Sequence, residues 1–167
     1  MNDALRQEAE LVRKIGIAEG GVARAPMRLR TSGLGSCVGV VLYDATAAVA
    51  GLVHVMLPTS PVGATNVTKY ADVGVPWLFE QVMKIGGKRD FIRAKIAGGA
   101  QMFASAGQSD ILRVGPRNVE AVNHALNQLG VPVVAADVGG NVGRTIEFDI
   151  ATGRLSVRTA MRGTYYI

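Results

Sequence analysis

The sequence predicts a mixed α+β fold, and three features carry that expectation. Short runs rich in β-branched and apolar residues dominate, and two of them stand close enough to pair as a hairpin. Only two stretches carry a strong helical period. Strands and helices do not alternate strictly, which argues against a doubly wound parallel sheet. At 167 residues, 49% of them hydrophobic, the chain is long enough to bury one substantial core. Aromatic residues make up only 5%, so Val, Ala, Leu and Ile must build that core.

Residues 3–14 place Leu5, Ala9 and Val12 at near-helical spacing, which fits a short helix or a terminal tail. Residues 1–13 are therefore set apart from a single domain over 14–167. From Met27 to Thr31 apolar and charged residues alternate, the mark of a strand with one wet face. A glycine-rich turn, Gly33-Leu34-Gly35-Ser36, leads to Cys37. Val38–Tyr43 and Val49–Leu57 form the hairpin, turning at 44–48, and Pro58 and Pro61 close it. Residues 69–85 carry Tyr70, Val73, Trp77, Phe79 and Val82 in a helical pattern. Pro76 marks a kink or restart within it, and Gly86-Gly87 its end. A strand over 92–97 precedes a loop to about Arg113. Asn118 is then expected as the N-cap of a helix carrying Val119, Val122, Leu126 and Leu129, stopped by Gly130. Residues 131–138, 145–150 and 154–159 read as three further strands.

Composition narrows the function classes. No run approaches the ~20 apolar residues that span a bilayer, and the polar N-terminus lacks the apolar core of a signal peptide. A cytoplasmic protein without membrane insertion is expected. One cysteine forms no internal disulfide, and with two histidines the chain lacks an ordinary zinc set, so no metal or other cofactor is expected. The formal charge of +5 suits an acidic partner. Without aromatic stacking platforms or a recognition motif, nucleic acid is not expected.

Thiol catalysis needs a thiolate, an adjacent base and a group to orient that base. The single thiol is Cys37. Of the two imidazoles, His124 lies off the apolar stripe of its helix and is expected on the outer face, which leaves His54. Taken singly, a buried cysteine is commonly a small hydrophobe and a strand histidine a satisfied core residue. As a pair on facing hairpin strands, they come within cross-strand reach. The turn through Gly35 and Ser36 brings backbone N–H groups to a developing oxyanion. The physical reading ends at acyl transfer. Other motifs fail: Gly33-x-Gly35-x-x-x-Gly39 has the wrong spacing for a dinucleotide fingerprint and leads into a strand.

The segment Thr31-Ser-Gly-Leu-Gly-Ser-Cys37-Val-Gly-Val, with His54 following in Ala50-Gly-Leu-Val-His-Val-Met-Leu-Pro58, resembles the chemoreceptor glutamine deamidases, the CheD family. The likeness continues through Lys69-Tyr-Ala-Asp72, Lys95-Ile-Ala-Gly-Gly-Ala100, Gly115-Pro-Arg-Asn118 and Asp137-Val-Gly-Gly140, from about residue 14 to 159. It implies a Cys–His–Thr triad, here Cys37, His54 and Thr31, with the threonine hydroxyl orienting the imidazole. It also implies a fold akin to the cytotoxic necrotising factor deamidases, two stacked mixed sheets with helices outside. The implied activity is that of a protein-glutamine glutaminase, which converts glutamines of methyl-accepting chemotaxis receptors to glutamate through a thioester and releases ammonia. The implied partners are those receptors and a CheC-type phosphatase.

Two other readings stand beside this one. The chain could serve mainly as an adaptor that binds such a phosphatase and receptors; Met102 and Phe103, an apolar pair in a Gly/Ala/Ser loop, are either core anchors or a partner contact. Alternatively, the same constellation serves another cysteine hydrolase, such as a protease or a transglutaminase-like enzyme.

Overall fold

The computed structural model describes residues 2–102 and 113–167. Its elements run α1 (Asp3–Glu10), β1 (Val12–Lys14), β2 (Gly20–Arg24), β3 (Arg28–Leu34), β4 (Val38–Asp44) and β5 (Val49–Val55). They continue as α2 (Ala71–Lys84), β6 (Arg93–Gly98), α3 (Val114–Leu129), β7 (Val133–Val138), β8 (Arg144–Asp149), β9 (Arg154–Thr159) and β10 (Gly163–Tyr166). The strands form two five-stranded sheets, ordered β1-β3-β8-β9-β10 and β2-β5-β4-β6-β7. Both are mixed: β1 pairs with β3, and β6 with β7, in parallel, and the remaining neighbours are antiparallel. The expected α+β class, with stacked mixed sheets and helices outside, is what the chain adopts.

Alternation along the strands explains the layers. In β3, Leu29, Thr31 and Leu34 turn inward. Leu29 and Leu34 meet Val41, Ala50, Leu52 and Ala97 of the second sheet, with Ile146, Phe148, Leu155 and Val157 completing this inter-sheet core. The second sheet's other face carries Val38, Val40, Leu42, Val53 and Val55, which pack on Val75, Leu78, Phe79 and Val82 of α2 and Val122 and Leu126 of α3. Because β4 and β5 are covered on both sides, they read as continuous apolar runs.

Four expectations are revised. The helix at 3–14 stops at Glu10, and Val12–Lys14 turns into the edge strand β1. Helix α2 runs through Pro76 without a restart, forgoing the bond that position would donate to the Asp72 carbonyl. Strand β3 extends through Leu34, so the turn before Cys37 spans only 35–36. Asn118 is not an N-cap: α3 starts at Val114, with Pro116 in the first turn where a missing N–H costs nothing. Strands β1, β2 and β10 went unforeseen.

Candidate active site

Strands β4 and β5 pair antiparallel with Gly39 opposite His54. His54 alternates with Leu52 and Ala50 and therefore faces the first sheet, fully buried. Across that interface β3 presents Thr31, whose Oγ1 lies 2.7 Å from His54 Nδ1. The ring's other nitrogen, Nε2, is buried and has no hydrogen-bond partner among the described residues. Cys37 stands two residues before Gly39, half-buried against the same inter-sheet cluster. It is thus the diagonal cross-strand neighbour of His54, a relation that places Cα atoms ~7–8 Å apart and lets long side chains meet. A side chain at Gly39 would crowd this arrangement, since its Cβ would fall 2.6 Å from Ile146 Cδ1.

Burial sets the charge state. It pushes the His54 imidazole down to about 4, and it pushes the Cys37 thiol up from its ordinary value, partly offset by the residue's own backbone N–H. At neutral pH the two therefore rest as thiol and neutral imidazole rather than as an ion pair.

The cysteine's loop is clamped by backbone. Gly35 N–H donates to Gly33 O at 3.1 Å, Ala100 N–H to Gly35 O at 2.9 Å, and Gly99 N–H to Cys37 O at 2.8 Å. Gly98 adopts φ +113°, and a Cβ there would lie 2.3 Å from Cys37 O, so this close approach requires glycine. Behind it, the buried Arg144 donates through Nη2 to Gly139 O at 2.9 Å and pairs with Asp137 Oδ1 at 3.4 Å, while the Tyr165 hydroxyl bonds the other oxygen of Asp137. Asn118, wholly buried, donates from Nδ2 to Ser36 O at 3.0 Å and to Met56 O at 2.8 Å.

The structure thus brings together Thr31, His54, Cys37, Gly35 and Ser36, with the Gly35 N–H already committed to Gly33. His124 is exposed on α3, away from them. Met102 is exposed, and a Cβ on Gly35 would lie 3.6 Å from its Cγ, so it stands at the rim of the cysteine's loop. Phe103 falls outside the described residues. Cavities open on both sides of Gly33: one of about 490 Å³ is lined by Lys14, Ile17, Arg30 and Ser32, and one of about 400 Å³ by Arg144, Arg158 and Thr159. Among the described residues no three His, Cys, Asp or Glu side chains converge where they could share a metal ion, and no helix is long and apolar enough to cross a membrane.

Sequence reasoning missed Asn118 and Arg144 as parts of this site. A signal existed for Asn118: it lies one turn before Val122 and two before Ala125, on the buried stripe of its helix, where an amide needs tertiary partners.

Residues 56–159 match the family model described as CheD chemotactic sensory transduction. The chain is 56% identical over 151 residues to a probable chemoreceptor glutamine deamidase CheD of Geobacillus kaustophilus, covering 88% of this chain and 92% of that protein. It is 51% identical over 153 residues to the chemoreceptor glutamine deamidase CheD of Halalkalibacterium halodurans, covering 90% and 94%. With the corresponding protein of Bacillus subtilis it shares 44% over 156 residues, covering 92% and 94%. Among solved structures it is similar to a Neisseria meningitidis DUF152 protein, with a TM-score of 0.49, 10% identity, and coverage of 83% and 68%. With identity this high over nearly the whole length of several relatives, the chain belongs to the CheD family.

Proposed function

We propose that this protein is a cysteine-dependent amidohydrolase that converts glutamine side chains of chemoreceptors to glutamate in the cytoplasm. The observation that carries the mechanism is the 2.7 Å bond between Thr31 Oγ1 and His54 Nδ1, with Nε2, on the face that Cys37 shares, lacking a hydrogen-bond partner among the described residues. The substrate comes from kinship: three relatives at 44–56% identity are named chemoreceptor glutamine deamidases.

With Nδ1–H donating to Thr31 Oγ1, the imidazole is held in the tautomer whose Nε2 lone pair can accept a proton. His54 takes the proton of Cys37 as the sulfur attacks the glutamine carboxamide carbon. The N–H groups of Ser36 and Cys37 hold the tetrahedral oxyanion, because Gly35 N–H is occupied. The imidazolium protonates the departing nitrogen, ammonia leaves, and a γ-glutamyl thioester remains. His54 then deprotonates water, which attacks the thioester and releases glutamate and the thiol. Because the pair rests neutral, proton transfer accompanies attack, and a hydroxyl orienter stabilises imidazolium less than a carboxylate does. Slow turnover follows.

The test is a receptor cytoplasmic fragment incubated with the wild type and with Cys37→Ala, following ammonia and the mass change of amide-to-acid conversion. Wild type releases ammonia stoichiometrically with the mass change, and Cys37→Ala does neither. Full deamidation by Cys37→Ala would overturn the thiol mechanism; peptide cleavage or amine incorporation by wild type would overturn the reaction class.

The exposure of Met102 beside Gly35 favours a second role, docking of a CheC-type phosphatase over the mouth of the site. Met102→Glu then weakens phosphatase binding, and unchanged affinity removes that role.

A further inference from the structure

Asn118 joins, through one buried amide, the two chain segments that carry the reacting groups. Its Nδ2 donates to the carbonyl of Ser36, the residue before Cys37, and to that of Met56, two residues beyond His54. Its Oδ1 is buried with no hydrogen-bond partner among the described residues. The helix that supplies it, α3, otherwise packs its buried stripe of Val122 and Leu126 on the second sheet.

The consequence lies in the Ser36–Cys37 peptide. That bond is trans, the cis bond among the described residues being Ala25–Pro26. In a trans peptide the N–H points opposite the C=O. Helix α3 lies on the helical side of the second sheet, whereas Cys37 packs against the inter-sheet side. Holding Ser36 O towards α3 therefore turns the Cys37 N–H towards the side on which the thiol lies. The influence of that N–H on the Cys37 sulfur agrees with this direction.

We infer that Asn118 is a positioning residue for the reaction: its amide aims the Cys37 N–H at the oxyanion and fixes the loop of Cys37 relative to the strand of His54. This rests on the reading of Cys37 as the nucleophile. Asn118 touches neither substrate nor reacting atoms and works through the backbone of Ser36 and Met56.

The experiment compares the full-length wild type with Asn118→Asp, which keeps the shape but repels both carbonyls, and with Val122→Ala on the same helix. Deamidation of a receptor fragment and alkylation of Cys37 by iodoacetamide at a fixed, mildly alkaline pH are both measured, alongside Tm. Asn118→Asp is expected to lower kcat about 10- to 100-fold with little change in KM. It is expected to slow alkylation several-fold, because the thiolate loses its N–H partner. Val122→Ala loses Tm but keeps kcat. A merely structural role gives the opposite alkylation result, since loosening around a half-buried thiol speeds its reaction. An unchanged kcat, a faster alkylation, or an equal kcat loss in Val122→Ala at matched Tm would each overturn the inference. Where Asn118→Asp does not fold, Asn118→Ser reads the same quantities. Deamidation surviving Cys37→Ala would sink the mechanism instead, and the alkylation arm would still report on Asn118, because it needs no substrate.

Discussion

The two faces of the β4–β5 hairpin share one backbone and differ in almost everything else. Towards α2 and α3 the strands present Val38, Val40, Leu42, Val53 and Val55, all apolar and fully buried. Towards the first sheet they present Cys37, Gly39, Val41, Leu52 and His54, an apolar floor that becomes polar only at the end where Thr31 arrives from β3. Side chains alternate with a period of two, so a one-residue slip in register would exchange the faces and bury the imidazole among the helices. The helical face stabilises; the inter-sheet face spends some of that stability on burying an imidazole.

The largest expected effect sets one face against the other. His54→Ala lowers kcat per folded molecule about 10²–10⁴-fold, the usual reach of general acid–base catalysis, a loss far beyond the stability cost of the cavity and the unpaired Thr31 hydroxyl it leaves. Leu42→Ala behaves inversely, losing about 2–5 kcal/mol of stability with kcat per folded molecule unchanged. Parallel urea denaturation and steady-state kinetics on both variants check this. A kcat loss in Leu42→Ala to match that of His54→Ala would break the contrast.

A second, smaller effect sharpens the energetic side. Burial holds His54 at about 4 in the folded chain, whereas an unfolded histidine titrates near ~6.5. Between those values the unfolded state binds more protons, so stability rises with pH across the window. Above it both states are neutral and the term vanishes. As pH falls from 6.5 to 4, the wild type should lose roughly 3 kcal/mol more than a His54→Gln variant, read from urea midpoints at stepped pH. Parallel pH profiles for the two proteins would mean that the imidazole is not desolvated in the fold.

The same contrast explains what the sequence disclosed. Cys37 and His54 could be singled out as a candidate pair because His54 lies on, and Cys37 borders, a hairpin whose alternation is local, and because thiols and imidazoles are scarce. Thr31 carried no such signal: its partner lies on the other sheet, 23 residues away, and only the family likeness singled it out. Asn118 was misassigned because Asn before an apolar stripe imitates an N-cap, while its actual partners, Ser36 and Met56, are 82 and 62 residues distant. The edge strands β1 and β10 and the glycine-led β2 were missed because each is short and draws its order from a neighbour rather than from its own pattern. Gly35 was expected to help hold an oxyanion, but a turn bond to Gly33 O claims its N–H, a detail of backbone direction that residue types do not encode.

Thr31 is where the two sheets meet chemically, and it supplies the last and smallest test. Thr31→Val keeps the β-branched shape that packs beside Leu29 and Leu34 and removes only the oxygen facing His54 Nδ1. The imidazole then loses its orienting partner inside a buried interface, at a stability cost of about 1–3 kcal/mol. Part of the ring population turns or takes the tautomer that cannot accept the thiol proton, so kcat should fall about 10- to 100-fold with little change in KM. Thr31→Ser, which restores a hydroxyl at the same backbone position, should recover most of that loss. Kinetics of the three proteins at one pH give the comparison. Were Thr31→Val to keep the wild-type kcat, the first sheet would contribute packing alone, and the chemistry would belong wholly to the hairpin.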